Sequence, residues 1–332
     1  MEEVGIVNEV EKWAANHGGF SRHRFFRTSG SSGIEKWIAL SEEALEWSAR
    51  SVIRALEISR SDVLALALPE VHVGGFGLVK RAELSGARLA RFFGKWNAEG
   101  YAEWCAAERV TISSLVPTQV HDLVSAQVRA GGSLRTIVVG GGVLDDELKE
   151  AARALGWPVV PSYGMTETSS QVATGDGLPL LPGWEAKVVE GQLALRGGGL
   201  LTAVVRREGE GYFAEDPKKD GWFLTNDLVE LNGSCLRILG RADRLVKVLG
   251  ELVNLEEVEK FWREKLGVEV VLMTQPDERR GVSLHLYYEG AEQELDRWND
   301  ELTGPERFES VQRVPQIPRS ALGKIDRSAL SF

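Results

Sequence analysis

LRTIVVGGGVLDDELKEAARALGWPVVPSYGMTET, residues 134–168, sets two kinds of text side by side. LRTIVV and PVV are short apolar runs rich in β-branched residues, and VLDDELKEAARALG between them has the spacing of an amphipathic helix. The same alternation continues upstream, where VLALALPEV and TISSLVPT are apolar runs, each followed by helical text. Strands and amphipathic helices in alternation predict an α/β core whose strands are covered on both faces.

Nearer the start, Val7, Val10, Trp13 and Ala14 fall at helical spacing, and HRFFR reads as a first strand. That strand runs into RTSGSSGIEK, residues 27–36, and LSEEALEWSARSVIRALEI beyond it carries a Ser41 cap and acidic residues in its first turn. The loop is therefore expected between a strand and a helix. From residue 185 the texture changes to short strands separated by turns (AKVVEGQLALRGG, LTAVVRREGEGYFA, GWFLTNDLVEL, SCLRILGR), which predicts a β-rich lobe. From residue 244 it changes again, to an α+β unit of about 90 residues with a helix around ELDRWNDEL, large enough for a small domain.

The 332 residues are 43% hydrophobic and 27% charged, ordinary for a globular enzyme with a substantial core. No apolar run approaches the roughly 18 residues needed to span a bilayer. The opening MEEVGIVNEVEKW is acidic where a secretory signal would be basic, so a cytoplasmic location is expected. Cys105 and Cys235 lack metal or disulfide spacing and read as buried small hydrophobes. A net charge of -10 argues against nucleic-acid partners and anionic membranes, so an anionic ligand needs local, well-placed donors.

The glycine loop can supply such donors. Gly30 and Gly33 free the backbone, and Thr28, Ser29, Ser31 and Ser32 add hydroxyls, an array suited to phosphate. The spacing is not that of a Walker A loop, and alone the segment reads equally as a surface turn. In SYGMTET, residues 162–168, Tyr163 could stack on a base, Thr166 could bond a phosphate, and Glu167 could hold Mg²⁺ together with phosphate oxygens. Asp227, read as an acid following a strand, suits the two hydroxyls of a ribose.

With GRADRLVKVLGE and PRSALGKIDR after them, these segments stand in the order of the acyl-adenylate-forming superfamily, which the chain resembles from residue 25 to its C-terminus. LPEVHVGGFGLVKRAELSGARL and VVGGGVLDDELKEAARALGWPVVPSYGMTETSSQVAT look most like the o-succinylbenzoate-CoA ligases of menaquinone synthesis. The resemblance implies a large α/β adenylate-forming domain with a β-rich lobe over residues 1–241 and a small mobile α+β domain over 242–332. The family carries a further subdomain ahead of the phosphate loop, so the large domain is expected to be shortened at its N-terminus. The core face beneath it is then rebuilt or covered by a second copy in a homodimer.

The implied reaction joins a small carboxylic acid to AMP and then to coenzyme A, with ATP and Mg²⁺. The alternatives are a ligase for another aromatic or fatty acid, or an ATP-binding remnant without turnover. By resemblance, Thr28, Ser29, Gly30, Ser31, Ser32, Gly33 and Lys36 cradle the outer phosphates of ATP, Thr166 meets the α-phosphate, and Glu167 holds the metal. Gly140, Gly141, Gly142, Ser162, Tyr163 and Gly164 surround the adenine, and Asp227 and Arg241 bind the ribose. Lys324 stabilises the charge that develops during adenylation. Asp243 marks the hinge, and Gly250 lines the pantetheine passage. His72 and Arg81, with Gly74, Gly75 and the SSQ segment (Ser169, Ser170 and Gln171), fall near the acid. An arginine suits the carboxylate that does not react, while Arg81 at helical spacing from Gly77 could equally face solvent, and His72 could be a packed histidine. Glu35 stands where the family has proline, and Asn226 where it has glycine.

Overall fold

The computed structural model describes residues 2–16, 19–28, 36–209, 211–291, 302, 304–319 and 325–330. The chain divides into two compact units: Met1–Val189, Ala194–Leu224 and Leu231–Arg237 form the larger, and Glu190–Leu193, Thr225–Glu230 and Ile238–Phe332 the smaller.

The larger unit begins with α1 (Glu2–Asn16), β1 (His23–Thr28), β2 (Lys36–Ser41) and α2 (Glu42–Ala55). The glycine loop therefore joins two strands. KWIALS is a strand, a correction to the strand-to-helix reading, and the helix starts only after Ser41, whose hydroxyl accepts from the Ala44 amide at 3.1 Å. β1 and β2 pair antiparallel with Thr28 opposite Lys36, so both ends of the loop are held side by side.

Next come β3 (Val63–Leu66), α3 (Val73–Ser85), β4 (Arg88–Arg91), α4 (Ala98–Ala107), β5 (Ile112–Leu115), α5 (Pro117–Ser125), β6 (Thr136–Val139), α6 (Asp146–Ala154), β7 (Val159–Met165) and β8 (Ser170–Thr174). The strands form one sheet in the order β4-β3-β5-β6-β7-β8, parallel except for the last pair. Successive residues of β3 face opposite ways, as strand geometry requires. Ala65 packs in a core with Tyr101, Leu115, Ile137, Val139 and Trp157, whereas Leu64 and Leu66 pack with Leu78 and Ala82 of α3. The expected covering of both faces follows from these two cores.

Beyond β8, the lobe has β9 (Glu185–Val189), β10 (Gln192–Arg196), β11 (Ala203–Glu208), β12 (Gly211–Glu215), β13 (Phe223–Asn232) and β14 (Cys235–Arg241). β11 and β12 extend the first hairpin into a sheet of order β1-β2-β11-β12. One face buries Phe25, Trp37 and Val205 against Val10 and Ala14 of α1, and the other buries Phe26, Ile38 and Leu40 against Leu45 and Phe76. The division between the units runs through β10, β13 and β14.

The smaller unit continues with β15 (Leu245–Val248), β16 (Glu251–Asn254), α7 (Leu255–Leu266), β17 (Val270–Asp277), β18 (Gly281–Tyr288) and β19 (Phe308–Arg313). β18 pairs antiparallel with β17 and parallel with β19, and Trp262 of α7 packs on Leu272, Leu284 and Phe308. Most of the segment expected to be helical, ELDRWNDEL, lies outside the described residues. Both cysteines are free, with Cys105 buried and Cys235 only half-buried, which corrects its expected burial. No helix among the described residues is long and apolar enough to cross a membrane.

Candidate active site

The carboxyl ends of β3, β6 and β7 carry most of the expected residues of the larger unit, the edge at which open α/β sheets bind ligands. After β3 the chain turns at Pro69 and enters α3 with half-buried His72 at its N-cap position. A side chain at Gly75 would put Cβ 2.2 Å from the Pro69 carbonyl oxygen, so only glycine lets the helix start against that turn. At Gly77 a Cβ would lie 3.0 Å from Arg81 Nη2. The missing side chain is the space into which the Arg81 guanidinium folds.

Arg81 is only 2% exposed. Its Nη2 donates to Ser170 Oγ at 3.2 Å. With the Gln171 carboxamide turned so that its oxygen faces the guanidinium, that oxygen accepts from Nη1 at 3.1 Å and Nη2 at 3.2 Å, and its nitrogen donates to Thr174 Oγ1 at 2.7 Å. Nε is buried and has no partner among the described residues. Among the described residues, no carboxylate forms an ion pair with Arg81. Burial pulls its pKa down to about 10, which still leaves a cation at neutral pH.

The SYGMTET segment is a constrained turn from β7 through Thr166–Thr168 into β8. The pairing slips between Tyr163 and Gly164, and a Cβ on Gly164 would fall 1.8 Å from the Ser170 carbonyl oxygen. Ser169 and Ser170 have φ of 54° and 117°, left-handed conformations that cost side-chain-bearing residues about 1–3 kcal/mol each. Thr168 offsets part of this strain: its hydroxyl accepts from the Met165 amide at 3.1 Å and lies 3.0 Å from the Ser170 carbonyl. Thr166 and Glu167 are half-buried, and the Glu167 carbonyl accepts from the Leu201 amide at 2.8 Å. Gly140 approaches Ser162, where a Cβ would lie 3.7 Å from its carbonyl oxygen, and Gly141 has φ of 80°. Half-buried Tyr163 follows Ser162, whose hydroxyl lies 2.9 Å from that of Thr174. Gly140, Ser162, Tyr163, Gly164, Thr166, Ser170 and Arg81 are thus neighbours along one sheet edge, while Gly142 packs on Pro117. Among the described residues, Thr28 Oγ1 has no hydrogen-bond partner, and Thr28 lies opposite half-buried Lys36. Ser29, Gly30, Ser31, Ser32, Gly33 and Glu35 lie outside the described residues.

In the smaller unit Asp227 is buried inside β13, which corrects the reading that placed it after a strand. Arg241 forks onto Asp243, with Nε to Oδ1 at 2.8 Å and Nη2 to Oδ2 at 2.6 Å, and reaches Asp227 Oδ1 at 3.4 Å. The bond to Asp243 raises the pKa of Arg241. Burial pushes the Asp243 carboxyl up, but the guanidinium outweighs it and holds the acid below its ordinary range. Asn226 donates to Asp243 at 3.4 Å, a contact glycine could not make. The expected ribose arginine and hinge acid therefore belong to one ion pair. Gly250 closes the β15–β16 hairpin with φ of 85° after Leu249 at 54°, the two positive angles of a tight two-residue turn. Lys324 lies outside the described residues. Two groups went unnoticed in the sequence: Thr174, and the Arg244–Glu259–Arg327 cluster of the smaller unit. Nothing in the local text marks the cluster, because its partners lie 15 and 68 residues apart, and a threonine in a strand carries no sign of its role even with Gln171 three residues away.

The chain belongs to the AMP-binding enzyme family, which matches residues 25–195. It is 34% identical over 239 residues to the 2-succinylbenzoate–CoA ligase of Escherichia coli (strain K12), covering 70% of this chain and 51% of that protein. With the 2-succinylbenzoate–CoA ligase of Listeria monocytogenes serotype 4b the identity is 27% over 328 residues, covering 91% of this chain and 68% of that protein. Among solved structures, the o-succinylbenzoate CoA synthetase of Bacillus subtilis in complex with its acyl-adenylate intermediate superposes with a TM-score of 0.80 at 25% identity, over 93% of this chain and 69% of that one. The chain spans about half the length of the E. coli relative.

Proposed function

We propose that this protein is an acid–CoA ligase: a carboxylate oxygen attacks the α-phosphorus of ATP and pyrophosphate leaves, then the thiol of coenzyme A attacks the acyl carbon and AMP leaves. The acid carries a second carboxylate, as 2-succinylbenzoate does, which would place the reaction in menaquinone synthesis. The observation that carries this choice is Arg81, a buried cation held by neutral partners with no acid paired to it among the described residues. Leaving a charge in that state is costly unless a ligand brings the opposite one.

The remaining roles follow the family pattern. Thr28 through Gly33 with Lys36 hold the outer phosphates, Thr166 the α-phosphate, Gly140, Gly141, Gly142, Ser162 and Tyr163 the adenine, and Asp227 with Arg241 the ribose. Among the described residues no three His, Cys, Asp or Glu side chains form a metal cluster. Magnesium would thus rest on Glu167 together with phosphate oxygens and water, a set that suits it, and would neutralise phosphate charge. Lys324 supplies the positive charge for the first step, and Asp243 and Gly250 serve the turn toward the second. A cytoplasmic setting fits a reaction that consumes ATP and coenzyme A.

Pyrophosphate release with ATP, Mg²⁺ and a panel of acids tests the reading. The expected result is turnover with 2-succinylbenzoate, its loss in Lys324→Ala, and survival in that variant of thioester formation from preformed acyl-adenylate. The similarity to an indoleacetate–CoA ligase from Aromatoleum aromaticum, 27% over 90% of this chain, puts an aromatic monocarboxylate on the panel as the second reading. ATP binding without pyrophosphate release for any acid would overturn both.

A further inference from the structure

The residues behind Arg81 form a one-way chain of hydrogen bonds. The Gln171 oxygen takes two guanidinium N–H groups, so its nitrogen must donate to Thr174 Oγ1 at 2.7 Å. Thr174, having accepted, has its own proton for Ser162 Oγ at 2.9 Å. Ser162 in turn donates to the Ala173 carbonyl at 3.2 Å, which can only accept. The fixed carbonyl at one end therefore dictates which face the carboxamide shows to Arg81 at the other. Gln171 and Thr174 are 6% and 8% exposed, so water does not compete for these bonds.

The chemistry at the arginine end is particular. A carboxamide oxygen satisfies hydrogen-bond donors without neutralising charge. A carboxylate in the same place would complete an internal ion pair. An amide reversed in its slot would point its own N–H groups at the guanidinium. Only the orientation with the oxygen toward the guanidinium both holds Arg81 in place and leaves its positive charge uncompensated, with Nε–H unpartnered among the described residues.

We infer that Gln171, oriented by Thr174 and Ser162, is the specificity-determining positioning residue of the acid site: its neutral oxygen fixes Arg81 while reserving the charge for the second carboxylate of a dicarboxylic acid. The inference rests on the acid–CoA ligase reading. It adds that selection for a dicarboxylate depends on a residue acting through Arg81, and that the relay ends at Ser162, a residue assigned to the adenine.

Full-length protein is assayed for pyrophosphate release with 2-succinylbenzoate and with 4-oxo-4-phenylbutanoate, the same skeleton without the ring carboxylate. The quantity read is the ratio of kcat/KM for the two acids. Gln171→Glu supplies the missing countercharge, and the ratio is expected to fall at least about tenfold, chiefly through a higher KM for the dicarboxylate. Thr174→Val removes the acceptor that orients the amide and is expected to lower the ratio about threefold to tenfold, whereas Thr174→Ser, which keeps the hydroxyl, restores it. A role in packing alone would lower turnover of both acids together and leave the ratio unmoved. An unchanged ratio in Gln171→Glu overturns the inference. Should that variant not fold, equal ratios in Thr174→Val and Thr174→Ser overturn it. Absence of pyrophosphate release from the unaltered protein with every acid would instead sink the ligase reading.

Discussion

Two arginines, buried Arg81 in the larger unit and half-buried Arg244 in the smaller, have been given opposite surroundings. Arg81 in the larger unit has a hydroxyl and a carboxamide about it and, among the described residues, no acid paired to it. Arg244 in the smaller unit lies 2.5 Å from Glu259 Oε1, and the same carboxylate, 5% exposed, accepts from Arg327 at 3.1 Å through both oxygens and from the Leu272 amide at 2.7 Å. Burial lowers the pKa of both arginines, but beside Arg244 the Glu259 charge works against that effect. Glu259 is a structural countercharge with its lone pairs in use. Arg81 is a charge kept open. The contrast separates a cation that the fold has settled from one that the fold presents, and only the second needs a ligand to explain it.

Breaking the settled case should have the largest effect. Glu259→Ala removes the buried carboxylate shared by two half-buried guanidinium groups and is expected to cost about 2–4 kcal/mol of stability, less than a fully buried cluster because solvent screens part of the charge left behind. Denaturant melts of the full chain measure it, and a loss below about 1 kcal/mol would mean that water already reaches the cluster. A buried acid gives the second test. Asp62, 6% exposed, accepts from Arg135 at 3.0 and 3.2 Å, from the Ser59 amide at 2.9 Å and from the Thr111 hydroxyl at 2.8 Å. Burial pushes its pKa up, yet these bonds outweigh burial and hold it down to about 2. Because the folded value lies below the unfolded one of about 3.9, the unfolded chain binds the proton first on acidification. The contribution, about 2–3 kcal/mol, is present above pH ~4 and lost as pH falls through ~2. Asp62→Asn should flatten that part of a stability-against-pH curve; an unaltered acid limb would show that other carboxylates carry it.

The two arginines also show what could be read in advance. TIVV and the Ser41 cap carry local signals, and both appear as expected in β6 and α2. KWIALS carries no alternation because Trp37, Ile38, Ala39 and Leu40 are all fully buried, so its period could not distinguish strand from helix. RLAR, a four-residue edge strand with arginines at both ends, has no signature at all. Identical text can serve different ends: Gly140–Gly142 form an open turn beside Ser162, whereas Gly197, Gly198 and Gly199 are jammed against Trp184 and Trp47, with a Cβ on Gly198 only 2.7 Å from Trp47 Cδ1. The PVV run placed a strand ahead of SYGMTET, and β7 is there, yet Arg81 reads from sequence as a helix arginine facing either water or acid. Its burial is decided by Gly77, one turn away, and by Ser170, which lies 89 residues on. Glu259 reads as an ordinary helix acid for the same reason, with partners 15 and 68 residues distant.

Removing the open charge should have the smallest effect on stability, and that makes Arg81→Met the sharpest counterpart to Glu259→Ala. Methionine fills a similar volume and abolishes the desolvation cost of a cation that has no countercharge among the described residues. Against this gain, the Gln171 oxygen and Ser170 hydroxyl lose a donor in a buried place, a cost of about 1–3 kcal/mol. The two terms oppose each other, so the denaturation midpoint should move by no more than about 1 kcal/mol. Turnover of 2-succinylbenzoate should nevertheless fall about 10- to 100-fold in kcat/KM, the worth of a hydrogen bond to a charged group. A stability loss as large as that of Glu259→Ala would place Arg81 with Arg244 among the settled charges and remove the ground for assigning it to an acid.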